Sequence, residues 1–518
     1  VSCLKKIWED KEMKTKERET KNKGITLIAL VVTIVVLLIL AGVSISMLSG
    51  EDGIINQAQN AKNKTNEAAK NEQLDLARQE DLINETLDGV EVEQVTDTAP
   101  GVLEENGTEY TINSIEDLVF FAYDVTNGNN YEGKTVKLGI NLDFNSTKSY
   151  VDPFRTDYGE YGYDGELKTL LTSGEGFIPI GTIYDRDISM NHFYGTFDGN
   201  YNTIYNLYQN IEESDKVLIA GLFGTNMGTI KNLQIKNANL RGTTNNMHIL
   251  MGAIAGRNSS CIENCSSTGN ININANGVRG IYLGGISGQG VQLEGASINK
   301  CYSKMNIKVE VTNSNKIDAS GIWGGSADLI KNCYFNGKID VTSLSDVSKS
   351  VNGIGNAEEI ENCYNAGTLI VRTEDTIEGI GAYISGIGGA NSNISNCYNI
   401  GTIESFNPAN HVGGITANLQ NSSITNCYNS GKITVEGTHN SYGSLIGTAN
   451  NSTINNSKWL LNTAPSAIGS LLGTTIDNSE RIDTIEEMPS VLEIINGEGV
   501  FKEDTNNINN SYPILEWE

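Results

Sequence analysis

Histidine and proline are scarce in this sequence. Its 518 residues include 4 histidines and 7 prolines. The sequence contains no His-Glu-x-x-His motif, which excludes the common zinc-protease site. It also contains no Cys-x-x-Cys pair and no Gly-x-Ser-x-Gly motif. Neither a zinc ribbon nor an α/β-hydrolase nucleophile is therefore indicated.

Positive charge is scarce as well. The chain has 36 Lys and Arg against 63 Asp and Glu, which gives a formal net charge of −27. Nucleic acid is therefore not expected as a partner, because its phosphate backbone requires a basic surface. An acidic, solvated surface is typical of exported proteins, and it would attract divalent cations such as Ca²⁺. The length is enough for two or three domains.

One phrase is written repeatedly between residues 217 and 458. It reads Asn-Cys-Tyr-Asn-x-Gly-x-Ile, and a Gly-rich apolar phrase precedes each copy, as in residues 413–416. Successive cysteines are 30 to 36 residues apart, and a fixed period in this range indicates a stacked repeat. The cysteines at this position are Cys265, Cys301, Cys333, Cys363, Cys397 and Cys427.

The repeat predicts a mainly β fold. Alternation, as in residues 423–428, points every second side chain the same way, and no window shows a helical stripe. We expect a right-handed parallel β-helix-like β-solenoid in which each repeat forms one coil. Stacking then places the cysteines in an inward ladder of small apolar side chains, with cross-coil disulfides or metal sites as alternatives. Ser457 ends the series and is expected to be less buried. Recurrent glycines are interpreted as turns.

These two phrases, Gly-Gly-Ile/Leu followed by Asn-Cys-Tyr-x-x-Gly, resemble the GLUG-motif repeats of bacterial surface proteins. The resemblance covers nearly half of the chain, because both phrases recur together and in the same order. It implies a surface location and a β-solenoid body. The resemblance does not imply a particular ligand.

The only long apolar run lies near the amino end. Residues 25–48 carry no charge and follow a Lys-rich segment. At 1.5 Å per residue, 24 helical residues span about 36 Å, which is enough to cross a bilayer. The sequence therefore predicts a transmembrane α-helix with the basic flank in the cytoplasm and residues 49–518 outside.

The polar-to-apolar switch at Gly24 resembles the leader of type IV prepilins and pseudopilins. The resemblance implies a prepilin peptidase that cuts between Gly24 and Ile25 and methylates Ile25. Lys21 and Lys23 match the basic end of such leaders. The family usually has glutamate at the fifth mature position, where this chain has Ala29. A plain signal anchor is the alternative, and a translation start at residue 13 would give an ordinary short leader.

The remaining segments frame the repeats. A long N-terminal pilin-type helix is expected to continue beyond the membrane, and Ser114 is predicted to cap a short helix over the open end of the solenoid. A closing strand is expected over residues 512–517. The predicted order is leader 1–24, transmembrane helix 25–48, extension helix and linker 49–97, N-terminal cap and first solenoid strands 98–216, repeats 217–458, and C-terminal capping segment 459–518.

No catalytic residue is predicted. Asp143, Asp185 and Asp198 are candidates for a Ca²⁺ site or an acid–base pair, although they suit solvated turns equally well. Cys261 and Cys265 lack a nearby third zinc ligand. We expect a non-enzymatic, membrane-anchored surface module that binds a glycan or protein. As a minor or tip pilin it would also have other pilin subunits as partners. A β-helix carbohydrate-active enzyme and a secretion-system pseudopilin are the alternatives.

Overall fold

The computed structural model describes most of the chain from residue 104 onward. The described ranges are 104–145, 176–181, 191–214, 216–245, 247–290, 295–344, 348–373, 381–406, 411–437, 441–484, 501–510 and 513–518. All of them belong to one compact unit, Thr98–Glu518. The Gly24–Ile25 junction and the predicted helix 25–48 lie outside these ranges. Within them, no helix is long and apolar enough to cross a membrane.

The described chain is a β-solenoid with three faces. Each coil from residue 218 to residue 460 contributes a strand to every face, and successive coils pair in parallel register, as Lys338–Ser343 does with Thr368–Thr373. Alternating side chains produce this architecture, since one set fills the interior while the other meets solvent. The mainly β class and the solenoid are thereby confirmed. The right-handed sense stays a prediction.

Face 1 is a 16-stranded sheet that a three-stranded sheet continues. The strands of the larger sheet are Glu104–Asn106, Glu109–Ile112, Thr135–Leu138, Thr196–Asp198, Phe223–Asn226, Thr229–Lys231, Ala255–Asn258, Cys261–Glu263, Ser287–Gly290, Ser297–Asn299, Trp323–Lys331, Gly355–Glu361, Asn393–Ser395, Ser423–Thr425, Thr453–Asn455 and Thr475–Asp477. The continuing strands are Thr416–Gln420, Ile446–Asn450 and Ile468–Leu472.

Face 2 is also 16-stranded, and face 3 has eight strands. The strands of face 2 are Leu142–Asp143, Thr203–Tyr205, Tyr208–Ser214, Gln234–Asn245, Ser266–Val278, Tyr302–Ser314, Tyr334–Phe335, Lys338–Ser343, Tyr364–Asn365, Thr368–Thr373, Tyr398–Asn399, Thr402–Phe406, Tyr428–Asn429, Ile433–Glu436, Lys458–Leu460 and Glu480–Ile482. The strands of face 3 are Leu218–Ala220, His248–Gly252, Gly280–Gly284, Lys316–Ser320, Ser348–Asn352, Ala382–Ser385, His411–Gly413 and Ser441–Gly443.

Helix α1, Ile115–Thr126, packs at the amino end of the column. Ser114 caps it as predicted, with its Oγ accepting a hydrogen bond from the Asp117 amide at 3.1 Å. Phe121 is fully buried and stacks at 5.9 Å on Phe197 of face 1. The helix therefore covers apolar side chains of the first coils.

Asparagine forms most of the corners between face 1 and face 2, and Lys300 forms one. Seven corner asparagines from Asn232 to Asn456 adopt left-handed φ values of 46° to 56°, which asparagine tolerates better than most residues. Their amides also bond between coils, as Asn362 Nδ2 does to Asn332 Oδ1 at 3.1 Å. The corner asparagines are Asn232, Asn264, Asn332, Asn362, Asn396, Asn426 and Asn456.

The cysteines follow these corners and line the interior, as predicted. All six are free thiols with at most 1 % of their surface exposed. The Cys363 amide donates to Cys397 Sγ at 3.3 Å, and the Cys363 thiol donates to a carbonyl of its own coil at 3.2 Å. Ser457 is also fully buried, so the expectation of weaker burial there was wrong. Its Oγ accepts from the Cys427 amide just as a cysteine sulfur would.

A second ladder lies on the outer side of face 2. Five tyrosines stack with ring centroids 4.8 to 5.0 Å apart, yet each is at most 7 % exposed. They are buried because the described part of residues 501–518, here called the strap, packs over them. Its two strands, Phe501–Lys502 and Ile514–Leu515, pair with each other in antiparallel fashion. The stacked residues are Tyr302, Tyr334, Tyr364, Tyr398 and Tyr428.

Polar contacts fix the strap in place. The Tyr334 hydroxyl lies 2.9 and 3.0 Å from the two carboxylate oxygens of Glu518. The Trp517 ring stacks on Tyr302 at 5.6 Å, and its indole N–H donates to a backbone carbonyl of the corner at 3.3 Å. The predicted closing strand thus covers the side of the solenoid instead of its end.

Candidate functional site

A polar groove crosses four neighbouring strands of face 2. Its volume is about 290 Å³. Its walls come from the strands Tyr208–Ser214, Gln234–Asn245, Ser266–Val278 and Tyr302–Ser314. Parallel register aligns their outward side chains into two rows. Row 1 is Asn210, Arg241, Asn272 and Lys308, and row 2 is Glu212, Thr243, Asn274 and Glu310.

Strand alternation explains why these side chains reach solvent. In Ser266–Val278, Ile271 and Ile273 are buried while Asn272 is partly exposed between them. In Tyr302–Ser314, buried valines and isoleucines alternate with exposed polar residues in the same way. Gly242 also lines the groove, and a Cβ there would lie 2.5 Å from the Leu218 side chain. Glycine therefore lets the interior pack tightly beneath the groove.

The groove carries charges of both signs. Lys308 Nζ lies 2.8 Å from Glu310 Oε1, and this hydrogen bond raises the pKa of Lys308. Arg241 Nε donates to Asn239 Oδ1 at 3.2 Å. Two cations, two carboxylates, three amides and one hydroxyl line the site. Such a mixture offers both donors and acceptors to a ligand rich in hydroxyl groups.

The two carboxylates of the groove lie at its opposite ends. Glu212 and Glu310 are on strands three steps apart, so their Cα atoms are about 14 Å apart at roughly 4.8 Å per step. Glu310 is held in the ion pair with Lys308.

The three predicted acidic candidates do not converge among the described residues. Asp143 pairs with Tyr205 in face 2 and accepts from the Asn206 amide at 2.7 Å. Asp198 belongs to face 1, where hydrogen bonds from Asn232 and Asn200 and the charge of Lys231 outweigh burial and lower its pKa. Asp185 lies outside the described residues. Within the described ranges, no group of three His, Cys, Asp or Glu side chains is arranged to hold a metal ion.

Residues 128–135 match the spacing of a phosphate-binding loop, Gly-x-x-x-x-Gly-Lys-Thr. Such a loop joins a strand to the helix whose amino end receives the phosphate. Here the order is reversed, because the segment follows α1 and leads into the strand Thr135–Leu138. Lys134 Nζ lies 5.1 Å from the Tyr110 ring centroid and 5.5 Å from that of Tyr131. The match therefore does not form a nucleotide site.

Comparison with known proteins supports the assignment of the repeat. The GLUG motif matches residues 408–434, which include the Gly-Gly-Ile-Thr phrase and Cys427. The chain carries a GLUG motif. The other GLUG-like copies are repetitions of the same phrase that stack on this one in the solenoid.

Two further similarities are more distant. Halomucin from Haloquadratum walsbyi is 29% identical over 145 residues, which are 28% of this chain and 1% of halomucin. A solved structure of a candidate immunoglobulin A1 protease from Bacteroides ovatus is 14% identical, with a TM-score of 0.36. That alignment covers 82% of this chain and 95% of the other. At this TM-score the likeness supports no conclusion about function.

Proposed function

We propose that this GLUG-motif chain is a non-enzymatic binding module displayed on the cell surface, and that the groove of face 2 binds a glycan. The observation that carries the proposal is the pair of aligned polar rows on the outer side of face 2. Four parallel strands fix the backbone positions of both rows, so no backbone ordering is needed on binding. The resemblance to a protein named a mucin, over 28% of this chain, supports an extracellular setting.

Binding of oligosaccharides tests this function. A panel of neutral and acidic oligosaccharides is titrated against the whole chain and against Arg241→Ala. We expect the variant to bind at least about tenfold more weakly, because a hydrogen bond to a charged group contributes about 1.5–3 kcal/mol. Asn272→Ala should show a smaller loss.

Glu404→Ala is the matched control. Glu404 continues row 1 farther along face 2, outside the groove, through Lys308, Asp340 and Ile370. Its replacement should leave affinity unchanged. If Arg241→Ala and the wild type bind with equal affinity, the groove is not the binding site. Turnover of a bound oligosaccharide would favour the carbohydrate-active enzyme instead.

The prepilin-like amino end supports a tether. We propose that prepilin peptidase cleaves after Gly24, leaving Ile25 as the methylated first residue of a membrane-anchored chain. The glycine followed by an uncharged run through residue 48 is the supporting observation. Other pilin subunits are proposed partners only if the chain enters a filament.

Processing provides a direct test of the tether. In cells with prepilin peptidase, intact-mass measurement should find a chain that begins at methylated Ile25. Gly24→Ala should keep the leader, because the peptidase family accepts little besides glycine there. Ala29→Gly, a small change inside the mature segment, serves as the control and should still be cleaved. A wild-type chain that retains its leader would indicate a plain signal anchor.

A further inference from the structure

A row of hydrogen-bond donors crosses face 1 on successive coils, on a different face from the groove. Arg257 is in register with Thr225 on one side and Gln289 on the other. A parallel bridge between Phe193 and Asn226 places His192 beside Thr225. The four residues His192, Thr225, Arg257 and Gln289, here called the donor row, thus span about 14 Å at roughly 4.8 Å per step.

Three polar atoms of this row are buried without a partner. Among the described residues, His192 Nδ1, Thr225 Oγ1 and Arg257 Nε form no hydrogen bond. His192 is 7 % exposed and Thr225 only 1 %. Buried polar groups are almost always hydrogen-bonded, and an unpaired one costs about 1–3 kcal/mol. Three such atoms on adjacent strands are therefore unusual.

The missing partner should be an anion. Burial alone lowers the pKa of the Arg257 guanidinium, and no carboxylate of the described residues opposes it, although the chain has 63 acidic residues. Arginine, threonine and glutamine side chains all donate hydrogen bonds, and histidine donates or accepts according to its tautomer. A guanidinium also binds a planar or tetrahedral oxyanion through two parallel bonds.

Neighbouring segments pack closely beside this row. Asn191 Nδ2 donates to the Thr126 carbonyl of α1 at 2.5 Å, which fixes the backbone next to His192. At Gly181, a Cβ would lie 3.2 Å from the Asn191 carbonyl oxygen and 3.3 Å from that of Thr225. The backbone therefore packs closely at both places beside the row.

We propose that the donor row binds an oxyanion, either a free inorganic anion or the acidic group of a saccharide. The shared chemistry is a negatively charged group with at least two oxygens. Arg257 binds this group, and Thr225 and His192 form hydrogen bonds with its remaining oxygens. This site is independent of the groove, and the chain would then contact an acidic saccharide at a second point.

Thermal unfolding at constant ionic strength tests the proposal. Sodium sulfate and sodium glucuronate are each titrated against chloride, using the whole chain, and the apparent affinity is obtained from the rise in midpoint. We expect Arg257→Gln to weaken the affinity at least tenfold. Arg241→Gln, which changes an arginine of the groove, should respond like the wild type. Sulfate stabilises proteins generally, so the difference between the two variants is the measure.

The two titrations distinguish an inorganic anion from the acidic group of a saccharide. A response to sulfate alone indicates an inorganic anion, whereas a response to glucuronate indicates the carboxylate of an acidic sugar. If Arg257→Gln does not fold, Arg257→Lys keeps the charge without the paired bonds and should still lose affinity. Equal affinities of the wild type and the folded Arg257 variant, or a response no greater than that to chloride, would overturn the proposal.

Discussion

Replacing Cys363 with Asp should destabilise the solenoid by several kcal/mol. Cys363 is fully buried, and its sulfur accepts from the Cys333 amide of the preceding coil at 3.4 Å. Burial raises the pKa of the Cys363 thiol well above its usual value. The same loss of solvation acts on a carboxylate, which would either remain charged without a partner or be forced to protonate. Urea denaturation followed by circular dichroism measures the change.

Two controls isolate the effect of buried charge. Cys363→Ala removes only a small side chain and should cost about 1–2 kcal/mol. Gln420→Asp places the same carboxylate at an exposed strand end and should change stability by less than about 0.5 kcal/mol. A thiol reagent should also modify the native cysteines slowly and the unfolded chain fully. A wild-type midpoint for Cys363→Asp would show that the ladder does not face the interior.

The inward ladder could be predicted because the repeat places the same residue type at the same position in successive coils. Once Asn-Cys-Tyr recurs with a fixed period, strand alternation puts every cysteine on one side and every tyrosine on the other. The burial of the tyrosines was not predictable in this way. Tyr334 is buried by Glu518, which lies 184 residues away in sequence and belongs to no repeat. Contacts between a periodic and an aperiodic segment leave no pattern in the sequence.

The groove could likewise not be predicted from the sequence. The core repeat is nearly invariant, but the outward residues change from coil to coil, from Asn272 to Lys308 to Asp340 along one row. Only the register shows which of them are neighbours. The acidic candidates Asp143 and Asp198 looked similar in sequence, yet the structure places them in different sheets. Site prediction failed where it required knowing which face each residue occupies.

Some glycines of the repeated phrase, such as Gly386, had a different role from the one predicted. Turns were expected to explain them, but the left-handed corner positions belong to asparagine, as at Asn362 and Asn396. Gly386 does not have a positive φ. A Cβ built there would lie 2.0 Å from the Gly414 carbonyl oxygen and 2.6 Å from Asn399 Cγ. Glycine is needed at this position because successive coils stack so closely.

Gly386→Ala should therefore cost about 3 kcal/mol, at the upper end of the usual range for overpacking. The added methyl group meets the backbone of the next coil, which cannot rotate away as a side chain would. It also meets Asn399, whose Nδ2 donates to Asn429 Oδ1 at 2.8 Å inside the column. Separating the coils would weaken this buried amide bond as well. Denaturant unfolding of the whole chain provides the measurement.

Gly277→Ala separates crowding from backbone strain. Gly277 has a φ of +76°, and no heavy atom lies within 4 Å of the position of its Cβ. Alanine there suffers only the left-handed conformation, which costs about 1 kcal/mol. The two substitutions add the same methyl group, so a larger loss at Gly386 measures the closeness of the coils. Equal losses at the two positions would mean that backbone conformation, and not coil packing, selects glycine in the repeat.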